Sequence, residues 1–267
     1  MLRPSIILAL VTRQVLLFTR NPVRGFELFF WPVVQLLVWG FVSVYFQQQS
    51  EGQPVEKMAT FLIGAIILWD ALFRSQQGVA ISFLEDVWTR NLLNIFAAPI
   101  RMTEYLAATF TFGLLRVIVT AIVLAVIAVL AYSFNLFQFQ WTLSAFYGNL
   151  MMFGWALGIV SISMSLRYGH AAESLAWAVP FMIQPFACVF YGVEVLPKWM
   201  QWVSLAMPPA HIFEGMRGIL AGNGLDPSLL LLATGLNVVY LAGAGMLFSY
   251  MLGVARKRGL LVKAASS

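Results

Sequence analysis

Residues 102–132 read MTEYLAATFTFGLLRVIVTAIVLAVIAVLAY, and within them 117–131 carries neither a charge nor a proline. About 20 such residues cross the hydrocarbon of a bilayer as a helix, the one open structure that satisfies its own backbone there. The stretch predicts a transmembrane helix, and the composition agrees. The 267 residues are 61% hydrophobic and 10% charged, with a mean hydropathy of +0.84. A water-soluble domain is roughly 45–50% apolar and about 25% charged. Too little polar surface remains to cover a soluble globule. Disorder is excluded by 15% aromatic residues, and the single Cys188 cannot close an internal disulfide.

The same length criterion, carried outward, predicts an all-α integral membrane protein of six spans at about 26–46, 58–84, 102–132, 141–166, 171–191 and 229–254. Barrel strands would be about 10 residues long and would alternate, which is not the pattern here. Basic residues orient the chain. With the N-terminus inside, the inner segments hold Arg3, Arg13, Arg20, Arg24, Arg90, Arg101, Arg167, Arg256, Lys257, Arg258 and Lys263. The outer ones hold only Lys57, Lys198 and Arg217. This positive-inside bias places both termini in the cytoplasm and the chain in a cell (inner) membrane. It also accounts for the net charge of +5 without a nucleic-acid partner. No internal repeat is visible.

Residues 1–25 show no compact apolar run with a cleavage site. Ile6, Ile7, Leu10, Val11, Leu17 and Phe18 instead follow helical spacing, which predicts an amphipathic helix on the cytoplasmic interface, ended at Asn21-Pro22. Residues 85–98 read EDVWTRNLLNIFAA. Asp86 and Arg90 are spaced to pair, and Trp88, Leu92 and Phe96 form a stripe, so a short cytoplasmic helix is expected. Either it lies on the membrane surface or it docks a partner. Residues 195–220 are too apolar for a free loop and too short in each half to span. The Pro208-Pro209 break predicts two short helices that dip into the outer leaflet and return. Glu214 and Arg217 are spaced to pair, and His211 is expected to cap or hydrogen-bond the second helix. A basic tail, 255–267, ends the chain.

Charges within spans are the sharpest internal clue, because each costs roughly 2.5–3.5 kcal/mol at the bilayer centre. Asp70 and Arg74 share a helix face and lie about 18 Å and 24 Å below the outer end of the second span, at about 1.5 Å per residue. Arg116, Gln76 and Gln77 extend this polar zone. Two readings stand: a buried lock between spans two and three, or one wall of a substrate path. Gly154 and Gly158 on span four, and Gly245, Ser249 and Gly253 on span six, mark close helix approaches.

Taken together, the N-terminal amphipathic helix, the 85–98 helix, Phe190-Tyr191-Gly192, Leu196-Pro197, Pro208-Pro209-Ala210-His211 and Phe213-Glu214-Gly215-Met216-Arg217-Gly218 resemble the ABC type-2 exporter permeases. Daunorubicin-resistance, nodulation-factor, O-antigen and teichoic-acid exporters are relatives in that family. The resemblance covers nearly the whole chain and leaves the substrate open. It implies a dimer of permeases, homodimer or heterodimer, docked on two copies of a cytoplasmic ABC ATPase. It makes residues 85–98 a coupling helix, with Trp88, Leu92 and Phe96 in the ATPase groove and Glu85, Asp86 and Arg90 at its rim. Residues 195–220 become re-entrant helices whose Trp199, Trp202, His211, Phe213, Glu214 and Arg217 form an extracellular gate. The family's dimer seam of spans one and five offers Trp31, Gln35, Trp39, Trp177, Phe181 and Gln184 as a translocation path, joined by Asp70, Arg74 and Arg116.

No phosphate-binding loop is present, so ATP and Mg²⁺ are expected in the partner and no cofactor in this chain. His170 and His211 lack metal-site spacing, which speaks against an intramembrane metalloprotease, and without a nucleotide-binding motif this chain is not expected to be an enzyme. The runner-up is a membrane enzyme or assembly subunit acting on a lipid-linked substrate without ATP-driven transport. A secondary transporter would want inverted repeats and broken midplane helices.

Overall fold

The computed structural model describes residues 2–49, 55–89, 91–168 and 173–257, excepting the side chains of 46–49, 55–59, 92, 93, 96, 173, 175 and 256. The helices are α1 (Pro4–Thr19), α2 (Pro22–Gln49), α3 (Val55–Trp88), α4 (Leu92–Ala97), α5 (Met102–Tyr132), α6 (Thr142–Tyr168), α7 (Glu173–Ile183), α8 (Lys198–Leu205), α9 (Pro208–Ala221) and α10 (Pro227–Lys257). Short 3₁₀ turns at Leu136–Phe139 and Val193–Val195 complete the order, and no strand occurs among the described residues. Among the described residues, four helices are long and apolar enough to cross a membrane: Pro22–Tyr45, Met102–Tyr132, Thr142–Tyr168 and Pro227–Ala255.

The hub is α3, which packs on α6, α5, α2, α7 and α9. Phe61 to Leu72 is buried on every side of this helix. That position explains why the most enclosed helix also carries Asp70, Arg74, Gln76 and Gln77. Lipid rejects such groups, whereas a protein interior can pair them. The outer helices show the converse. The most apolar stretches of α5 and α10 are only 22% and 17% buried, against 78% for α6. On α5, Ile118, Ile122, Val126 and Leu130 are exposed and form an apolar outer face.

Two apolar cores stack along α3. One joins Phe61, Trp69, Phe146, Phe153 and Phe213; the other joins Val79, Phe83, Tyr105, Ile159 and Phe248. Gly154 and Gly158 make the approach expected of them. A Cβ at either would collide with the Ser75 or Val79 side chain of α3. Gly78 faces Gly113 across α3 and α5 just as closely, with only 2.7 Å between an added Cβ and the Gly113 Cα. The ridge on α10 differs from expectation. A Cβ at Gly245 or Gly253 meets nothing within 4 Å, so this ridge makes no close approach inside the chain. α10 is held to α6 by apolar packing, with Ala244 and Phe248 in the second core and Tyr240 edge-on to Phe153, and by polar bonds: Asn237 Nδ2 donates to Asn149 Oδ1 at 2.9 Å, and Thr234 Oγ1 donates to the same oxygen at 3.1 Å.

Two expected helices are cut short. The predicted 171–191 span is helical only through Ile183. Pro185 cannot donate to the helical ladder, and the chain turns so sharply that Cys188 takes a left-handed φ of 52°. The predicted 85–98 helix is two pieces. α3 runs on to Trp88, and a separate helix, α4, begins at Leu92.

Candidate functional site

A cavity of about 600 Å³ opens between α2, α3, α5 and α7. Its walls are aromatic: Trp31 from α2, Trp69, Phe73 and Trp88 from α3, Phe18 from α1, and Trp177 and Phe181 from α7. Trp31, Trp177 and Phe181 are each about half exposed, at 58%, 46% and 50%, so the mouth lies along the α2–α7 edge. The floor is charged. Arg74 Nε donates to Asp70 Oδ1 at 3.2 Å, and both side chains are over nine-tenths buried. Arg116 reaches in from α5, with its guanidinium carbon 5.3 Å from the Phe18 ring centroid and 5.9 Å from that of Phe112. Among the described residues Arg116 makes no ion pair. The Asp70–Arg74 pair lies within α3, Asp70 also meets the Thr120 side chain of α5, and the rings hold Arg116.

The Glu85 end of the cavity is closed by ion pairs that join distant segments. Arg24 Nη1 meets Glu85 Oε1 at 2.9 Å. Glu85 lies beyond the 58–84 apolar run, where burial pushes its carboxyl up and Arg24 opposes the shift. Arg13 of α1 donates to Asp86 Oδ1, and Tyr105 Oη donates to Asp86 Oδ2 at 2.8 Å. Glu104 is fully buried and accepts from Arg3 Nε and Nη2, both at 2.8 Å, and from the Arg101 backbone N–H at 2.9 Å. α1 is thus bolted to both flanks of the α4 segment.

Asp86 has these two partners, and its expected pairing with Arg90 falls outside the described residues. Asp86 is buried against Arg13 and Tyr105 and is not a rim residue. Arg90 and the Leu92 and Phe96 side chains lie outside the described residues, as does His170. Trp88, the last residue of α3, lines the cavity.

Of the expected path residues, the fold gathers Trp31, Gln35, Asp70, Arg74, Arg116, Trp177 and Phe181 around this one cavity. Trp39 and Gln184 are not on its wall. Trp39 stacks on Phe190 with centroids 4.4 Å apart. Gln184 sits in the unwound turn, its backbone N–H bonded to the Pro180 carbonyl. Sequence reasoning passed over Glu104, Tyr105, Glu27 and Phe18. The legible signal for Glu104 was its place three residues into a helix, where its carboxylate caps the Arg101 N–H.

The α8–α9 hairpin is present, and its arms differ. α8 exposes Trp199 and Trp202, whereas α9 buries Ile212, Phe213 and Met216 completely in the first core. Phe213 is therefore a packing residue. His211 Nε2 is 2.8 Å from the Leu205 carbonyl, so it bonds the last turn of α8, not its own helix. Arg217 pairs with Glu214 at 2.8 Å, and its Nη1 donates to the Cys188 carbonyl at 3.0 Å. That bond ties the hairpin to the turn after α7. In a Cys188→Ala background, Lys198→Cys and Trp202→Cys are expected to react in intact cells with a membrane-impermeant maleimide. Pro209→Cys, buried in α9, is expected to stay unlabelled. Labelling of Pro209→Cys alone would contradict this packing.

Comparison with known proteins gives one family. A model described as ABC-2 type transporter matches residues 6–221, from the first turn of α1 to the end of α9. No curated protein matches the chain.

Proposed function

Because the chain belongs to the ABC-2 type transporter family, and is thus a multi-pass permease subunit of an ABC transporter, we propose that it is the path-forming half of an exporter. In this reading six segments cross the inner membrane with both termini inside. Two copies meet, and each is driven by a separate cytoplasmic ATPase, an arrangement normal for the family. The observation that carries the reading is the aromatic cavity. It reaches the α2–α7 edge and is bounded at its other end by the ion pairs around α4. A substrate enters between α2 and α7 from the inner leaflet. The exposed Trp31, Val38 and Phe41 of α2 and Met182 of α7 give the second copy an apolar surface to meet.

ATP-driven closure of the ATPase pair pushes α4. Because Arg13 and Arg24 tie α1 and α2 to the Glu85–Asp86 end of α3, that push moves the cavity walls as one body. The hairpin gates the outer exit, with the exposed face of α8 toward the departing substrate and α9 as its fixed support.

The test is reconstitution of the chain with its ATPase in proteoliposomes. Trp177→Ala with Phe181→Ala is expected to reduce ATP-dependent transport about tenfold, since buried aromatic contacts dominate binding. Basal ATP hydrolysis should remain. Unchanged transport would remove the cavity from the path. Full transport by the chain without any ATPase would overturn the exporter reading.

A further inference from the structure

The cavity is neutral in formal charge but unevenly paired. Asp70 is taken by Arg74, and Glu85 by Arg24. The remaining carboxylate on the wall, Glu27, is exposed at the rim. The remaining cation, Arg116, is set inside against Phe18 and Phe112, and its buried Nε has no hydrogen-bond partner. A second orphan lies on the same wall. Gln77 is 2% exposed, and its Nε2 donates to nothing. Both buried orphan atoms on the described wall are donors. These two atoms have almost no open surface of their own, but Arg116 as a residue is partly exposed and holds no ion pair among the described residues, so the wall is complementary to a group that accepts. Around these donors stand Trp31, Trp69, Phe73, Trp177 and Phe181, which offer apolar area and no further charge.

We infer that this cavity binds an anionic amphiphile, with a phosphate or carboxylate head accepted by Arg116 and Gln77 and an apolar body against the tryptophan wall. The inference deepens the path reading and rests on it for its place in transport, but not for binding. A volume of about 600 Å³ is within the range of small-molecule sites, about 300–1,000 Å³. It suits a drug-sized acid, or a lipid head with the first part of its chains. Arg suits the head because its planar donors bind such anions in pairs. A cationic amphiphile finds the carboxylates of the floor already neutralised and is not favoured.

The test uses the purified full chain in phosphatidylcholine nanodiscs, read by tryptophan fluorescence. Titrants are hexyl phosphate, hexyltrimethylammonium and inorganic phosphate. Hexyl phosphate is expected to saturate with a Kd at least about tenfold below that of inorganic phosphate, and the cation to give no saturable change. Arg116→Gln should raise the hexyl phosphate Kd about tenfold or more, the size of a charged hydrogen bond. Arg116→Lys, which keeps the charge but not the paired donors, should fall between the wild type and Arg116→Gln. Discs containing phosphatidic acid separate the sources: weakened hexyl phosphate binding identifies a lipid head, and unchanged binding identifies an acid arriving from water.

Equal binding of the cation and the phosphate by the wild-type chain overturns the inference even if no variant folds. So does a folded Arg116→Gln with unchanged affinity. Loss of the anion preference with ATP-driven transport still dependent on Trp177 and Phe181 would sink this inference and leave the path. Intact anion binding with transport indifferent to those residues would do the reverse.

Discussion

Asp70→Ala is expected to destabilise the folded chain by about 3–5 kcal/mol, the cost of stranding one member of a buried ion pair. The pair is enclosed: Arg74 and Asp70 are 6% and 7% exposed, and the donor–acceptor distance is 3.2 Å. Without Asp70, Arg74 faces Phe73 at 5.8 Å and a neighbouring Arg116, with no counterion on its own helix. The measurement is the yield of monodisperse protein and its thermal midpoint in detergent. Arg74→Ala should behave alike, because it strands the carboxylate. Replacing both at once, with Asp70→Leu and Arg74→Met, should recover most of the stability, since an apolar pair of similar volume needs no partner. If the recovered double variant also loses transport, the pair serves the cavity as well as the fold. Single variants as stable as the wild type would mean that water reaches the pair and solvates it.

The contrast between this pair and the Asp86 cluster shows what was readable in the chain. Asp70 and Arg74 are four apart on one helix, so their pairing follows from periodicity alone. Glu214 and Arg217 were legible for the same reason. The span at 102–132 was legible to the residue, because lipid contact demands an unbroken apolar surface and leaves no other reading. The partners of Arg3, Arg13 and Arg24 were not. They lie 101, 73 and 61 residues away in sequence order, at Glu104, Asp86 and Glu85. Nothing periodic links such positions. Topology made those arginines markers of sidedness, and tertiary packing gave them carboxylates.

The gathering of Trp31, Trp177 and Phe181 with the charges of α3 and α5 came from the family resemblance, not from spacing. The residues that fell outside it, Trp39 and Gln184, are at places where Phe190 and the Pro185 break intervene. The division of 85–98 was hidden because it keeps helical spacing throughout. No proline or glycine within 85–98 announces that α3 ends at Trp88.

Asp86→Ala is expected to uncouple the permease while leaving it assembled. Asp86 is 2% exposed and accepts from Arg13 and from Tyr105 Oη, itself on a residue only 1% exposed. Its removal strands a buried phenol and an arginine. Because the Arg13 side chain is 30% exposed, water recovers part of the loss, and about 2–3 kcal/mol is the expected cost. Neither α4 nor its connection to α5 is touched by the change, so the ATPase should still co-purify. What is lost is the bolt between α1 and the α3 end beside α4. ATP-dependent transport should therefore fall about tenfold or more while basal ATP hydrolysis persists. Tyr105→Phe keeps the Arg13 contact and should cost only about 1 kcal/mol, with transport nearly intact. Arg13→Ala should reproduce the uncoupling, and the Arg13→Ala/Asp86→Ala double variant should be no worse than Asp86→Ala alone, which already removes the Arg13 contact. Loss of the ATPase from the purified complex would instead make Asp86 a support of the docking surface. Full transport by Asp86→Ala would show that α4 drives α3 without α1.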